Sequence, residues 1–100
     1  MTTSARTGPK WTQDQAIAYE AALEAINDVI AGYSEQIAME QQRPTQSASR
    51  IEWLEMRTDQ ATAIMDSLNV TDTDNVRQVL TEYSAIVRAR DAAEAVRIAA

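Results

Sequence analysis

The chain contains no cysteine, no histidine and no phenylalanine, and only two glycines and two prolines among its 100 residues. Each shortage removes a class of protein. Without cysteine there is no disulfide framework, so nothing directs the chain to an oxidising compartment. Without cysteine and histidine together, the usual ligands of zinc and haem are missing, as are the Ser-His and Cys-His pairs of nucleophilic catalysis. Gly8 and Gly32 stand alone, so there is no glycine-rich loop to cradle a phosphate. No apolar run approaches the roughly 20 residues that span a bilayer. The opening "MTTSARTGPK" carries two positive charges but no apolar stretch of the kind a signal peptide needs. The expectation is a cytoplasmic, non-enzymatic protein with no metal, no cofactor and no membrane segment.

What remains is helix-forming composition, rich in Ala, Gln, Glu and Arg. The length suits one domain. Nine basic against fifteen acidic residues leave a net charge of −6, which argues against a nucleic-acid groove. The excess is uneven. Residues 13–46 carry six acids against Arg43 alone, whereas residues 71–100 carry five acids against four arginines.

Three helices follow from periodicity. Thr12 with Gln15 fits a capping box, with Trp11 at the staple position before it. Ala16, Tyr19, Leu23, Ile26, Ile30, Tyr33 and Ile37 then recur at spacings of 3 and 4, and Ala22 and Val29 widen the stripe. This first helix is predicted over about 13–43, ending before Pro44. Gly32 lies off the stripe, where it would let a neighbour approach closely. Ser49 with Glu52 predicts a second capping box and a helix over about 49–68, with a seam of Ile51, Leu54, Thr58, Ala61, Met65 and Leu68 and Ile64 alongside. In "NVTDTDN", Thr71 or Asp72 is expected to cap the third helix, whose stripe is Val76, Val79, Leu80, Tyr83, Ile86 and Val87. Beyond Arg90 the pattern fades and the last turns are expected to pack poorly. Short connections force neighbours antiparallel. The expected architecture is all-α, an up-down-up three-helix antiparallel bundle over residues 12–100 with a long first helix, behind a flexible tail at 1–11.

Few side-chain groupings suggest a site. Asp72, Asp74 and Asn75 hint at a calcium loop, but its sixth and twelfth positions would be Arg77 and Tyr83, not Gly and Glu; capping accounts for these residues. Glu20, Glu24 and Asp28 are spaced i, i+4, i+8 on the first helix. Like charges so placed cost about 0.2–0.5 kcal/mol per pair, and no Lys or Arg lies within 11–42 to relieve them. They form either a solvated face, paired to Arg88 or Arg90 of the third helix, or a docking strip for a basic cleft. In "RIEWLEM" (50–56), Trp53 and Met56 point away from Ile51 and Leu54. They either fold back onto Trp11 or the third helix, or form an exposed patch of residue types favoured at binding surfaces.

The stretches "YEAALEAINDVIAGYSEQIAMEQQRP" (19–44), "RIEWLEMR" (50–57) and "TDTDNVRQVLTEYSAIVRA" (71–89) resemble small actinobacterial helical proteins associated with zeta-type toxin kinases. Those kinases are P-loop enzymes that phosphorylate nucleotide-sugar precursors of the cell wall, and their antitoxins are three-helix proteins that cover the ATP site. The resemblance implies an antitoxin whose partner is a cognate kinase with a basic cleft. No inhibitory motif accompanies the resemblance. The binding residues expected from the side-chain pattern are Glu20, Glu24 and Asp28, with Trp53 and Met56 as a second contact. The rival expectation is a self-associating homo-oligomeric module of phage, plasmid or secretion origin.

Overall fold

The computed structural model describes residues 10–99. The expected tail therefore falls outside the described residues except for Lys10 and Trp11. Three helices follow: α1 at Gln13–Gln41, α2 at Ala48–Ser67 and α3 at Thr73–Ala99. They form an all-α, three-helix antiparallel bundle, with no strand among the described residues. The first helix is the longest, 29 residues or about 43 Å, and it is the element on which both others pack.

The start of α1 follows the sequence rule. The Thr12 hydroxyl accepts from the Gln15 N–H at 3.0 Å, and the Gln15 amide oxygen accepts from the Thr12 N–H at 2.8 Å. The Gln15 side-chain nitrogen also donates to the Thr73 hydroxyl at 3.0 Å, so the cap of α1 is tied to the first turn of α3. The α1 helix ends at Gln41, two residues short of the expected limit, where Gln42 and Arg43 turn back with N–H bonds to the Met39 and Glu40 carbonyls.

The core takes one or more residues from each helix. Ile26, Leu54 and Val76 are the largest fully buried side chains. Ala22, Val29, Tyr33, Ala61, Leu68, Val79 and Tyr83 complete it. On α1, burial is centred on Ala22, Ile26, Val29 and Tyr33, while Tyr19, Leu23, Ile30 and Ile37 are only half-buried. The stripe has thus turned toward its flank of small residues. The reason is α3, which lies against that flank. The Arg90 side chain of α3 lies over Gly32, where an added Cβ would stand 2.9 Å from its Nη1.

The start of α2 differs from expectation. Its cap is Ser47, whose hydroxyl accepts from the Arg50 N–H at 3.3 Å, and Ser49 is already inside the helix. The Ser47 N–H is held by the buried Glu40 carboxylate at 2.9 Å, a tertiary bond that fixes the helix start at Ala48. Asp72 caps α3, its carboxylate accepting from the Asn75 N–H at 3.3 Å. Residues 91–99 stay helical but every one is exposed, so the last turns carry almost no packing, as the fading pattern predicted.

Replacing Leu54 by Ala removes the centre of the core and is expected to lower unfolding free energy by about 2–5 kcal/mol. Urea unfolding measures it: the midpoint should fall with the slope unchanged. Replacing the exposed Asp59 by Ala should change the unfolding free energy measured in the same way by no more than about 0.5 kcal/mol.

Candidate functional site: an acidic flank and an aromatic face

The inner stripe of α1 is spent on the core, which leaves Glu20, Glu24 and Asp28 exposed on its outer side. The structure divides these three. Asp28 is engaged by Arg90 of α3, with Nη2 3.1 Å from its carboxylate and Nη1 donating to its backbone carbonyl at 3.1 Å. Arg90 also holds Asp91 at 3.1 Å. The Asp91 hydrogen bond above all, and then Asp28, hold the Arg90 guanidinium above its ordinary pKa. Of the two arginines considered for this role, Arg90 fills it. Among the described residues, Glu20 and Glu24 have no cationic group within 4.0 Å. The acidic strip is therefore half internal and half free.

Trp53 and Met56 are 48% and 45% exposed, on the outer face of α2. Neither folds onto Trp11, which is itself 43% exposed. Trp53 instead stands edge-on to Tyr33 of α1, with ring centroids 6.4 Å apart and planes at 75°. The Arg57 guanidinium lies 5.9 Å from the centroids of both rings, and its Nε donates to the Tyr33 hydroxyl at 3.3 Å. Edge-to-face and cation–π contacts of this kind add roughly 0.5–1.5 kcal/mol beyond burial. One edge of Trp53 is thus fixed and the remainder faces solvent. Beneath it, burial pushes the Tyr83 phenol above its ordinary pKa, against the pull of nearby Arg57.

Glu40 is the residue that sequence reasoning missed. It is a buried carboxylate, 4% exposed, at the far end of α1. It accepts from the Ser47 N–H at 2.9 Å and from Arg43 Nη1 at 3.2 and 3.4 Å, and Arg50 Nε lies 3.9 Å away. The Ser47 bond chiefly, with the two arginines and against desolvation, holds its carboxyl below the usual carboxylate range. The i, i+3 spacing to Arg43 was the one visible signal. Above this knot lies a cleft of about 860 Å³, lined by Gln36, Met39, Arg43, Arg50, Arg90 and Arg97 among others. Its cations face carboxylates of the same chain, so it is a mixed-charge surface with no accumulated sign. No three carboxylates converge on a point that would hold a metal ion, among the described residues. No described helix is long and apolar enough to cross a membrane.

The lowered Glu40 pKa has a definite sign. The folded state binds the proton less readily than the unfolded chain, so the carboxylate's contribution is present above the ordinary value of 4.5 and is lost as pH falls through it toward the folded value. Glu40→Gln should lower stability at neutral pH and make the acid limb of the stability profile shallower below about pH 5. Thermal unfolding followed across that range tests both.

Compared with known proteins, the chain matches no family model, no curated protein and no solved structure.

Proposed function

We propose that this protein is a non-enzymatic binding protein, an antitoxin that neutralises a zeta-type kinase by covering its nucleotide or substrate site. The observation that carries the reading is the uncompensated pair Glu20 and Glu24, one turn apart on the longest helix, with no cation within 4.0 Å among the described residues. Two carboxylates at that spacing repel each other within the helix, a cost that a positively charged partner converts into attraction. A kinase cleft built to hold polyphosphate has such a surface, and opposite potentials speed encounter by roughly 10- to 1,000-fold at low salt. The resemblance of residues 19–44, 50–57 and 71–89 to kinase-associated helical proteins supplies the partner class. Asp28 belongs to this flank but is shared with Arg90, so its part in the contact is weaker and its loss also loosens α3.

The test is co-expression with a zeta-type kinase, followed by association kinetics on the purified pair. Glu20→Lys with Glu24→Lys should slow association by roughly tenfold or more at low salt, with the difference shrinking as salt is raised. Helicity should be unchanged, because neither side chain bonds within the described chain. Complex formation and neutralisation that survive the double reversal unaltered would discard this reading.

A further inference from the structure

The outer face of α2 carries a second pattern beside the one that builds the core. Ser49, Trp53, Met56, Gln60, Ala63 and Ser67 recur at spacings of 4, 3, 4, 3 and 4. Those are the a and d positions of a coiled coil, three of them filled by the apolar Trp53, Met56 and Ala63. All six are exposed, while Leu54, Ala61 and Leu68 of the inner stripe are buried against the bundle. In this outer frame Trp53, Gln60 and Ser67 take the a positions and Ser49, Met56 and Ala63 the d positions.

The flanks of that seam are segregated by charge. Its g positions are Glu52, Asp59 and Asp66, and its e positions are Arg50, Arg57 and Ile64. Acids thus run down one edge and arginines down the other. Glu52 has no cation within 4.0 Å, and Arg57 no carboxylate within 4.0 Å, among the described residues. Among the described residues Arg57 hydrogen-bonds Tyr33 and the neutral Gln60 amide, and it lies over the Tyr33 and Trp53 rings.

We infer that the outer face of α2 binds a second copy of this chain, helix alongside helix in parallel. In a parallel pair each g residue meets the e residue five positions on in the partner helix. Glu52 of each copy then meets Arg57 of the other, and the twofold axis makes this contact twice. An antiparallel pair would instead set g against g and e against e, acids facing acids and arginines facing arginines. The charge layout therefore selects both the occupant and its direction. Trp53 and Met56 form the apolar centre of the contact. Gln60 meets its own copy at a core position, where a polar side chain fixes register at some cost in strength. The seam holds three small or hydroxylated residues beside its one aromatic, so the dimer is weak and concentration-dependent. This assignment is independent of the kinase reading. It takes Trp53 and Met56 for self-contact and leaves the kinase contact to Glu20 and Glu24.

Sedimentation equilibrium on the purified chain should show a reversible dimer at high micromolar concentration. Trp53→Ala should weaken it about 30-fold, the cost of a typical hot-spot residue of about 2 kcal/mol. Glu52→Arg should weaken it, and Glu52→Arg combined with Arg57→Glu should restore it, a rescue that damage to the fold would not produce. Direction is read from crosslinking, since the chain has no cysteine of its own. Ser49→Cys and Ser67→Cys lie about 27 Å apart along the helix. In the parallel dimer each variant alone oxidises to a disulfide-linked dimer. A chain that stays monomeric at high micromolar concentration, or a disulfide that forms only when the two variants are mixed, overturns the inference.

Discussion

The fold depends on one constraint: α1 must bury two neighbours along a single stripe. Its apolar residues span more of its circumference than one partner could cover, and Ala18, Ala22, Ala25 and Gly32 make one flank thin. A helix with bulky residues on both flanks would hold α3 farther out. With the thin flank, α3 comes close enough for Arg90 to pass over Gly32 and reach Asp28. Ile26 on α1 is fully buried as a result, matched by Leu54 from α2 and Val76 from α3. The burial of three such side chains, worth about 1.5–3 kcal/mol each, outweighs any single polar contact on the surface.

The sequence made the helices, their order and most of the core legible, because each helix repeats its apolar residues at the period of its own geometry. The Thr12 capping box was visible for the same reason, and the cap of α3 was narrowed to Thr71 or Asp72, of which Asp72 fills it: both are local. The errors were tertiary. Ser49 with Glu52 satisfies the local capping rule, yet the helix starts at Ala48 because Glu40, seven residues before Ser47, takes the Ser47 N–H. No local pattern announces a bond made across a turn. The division of the acidic strip was equally hidden. Spacing placed Glu20, Glu24 and Asp28 on one face, but only the approach of α3 over Gly32 could show that Asp28 has a partner and the other two have none.

Glu40 shows how a carboxylate is covered at the end of the bundle by groups of its own chain. Its desolvation is offset by one backbone N–H and two guanidinium groups: Ser47 and Arg43 in the turn, and Arg50 in the first turn of α2. A buried ion pair adds little net stability, since the cost of desolvation nearly cancels the attraction. Its effect is on geometry. It sets the residue at which α2 begins, and the start of α2 sets which of its residues face inward.

Starting point therefore governs surface as well as core. Rotating α2 by one residue, 100° on the helix, would carry Leu54 out of the core and bring Trp53 toward it. Held at Ala48, the helix buries Leu54, Ala61 and Leu68 and turns Trp53 and Met56 outward, with arginines along one edge and acids along the other. The arginine edge leans toward α1, where Arg57 reaches Tyr33 and Arg50 reaches Gln36 at 2.9 Å. The two edges of opposite sign on α2 are thus oriented by where the helix begins, and it begins where the Glu40 carboxylate takes the Ser47 N–H.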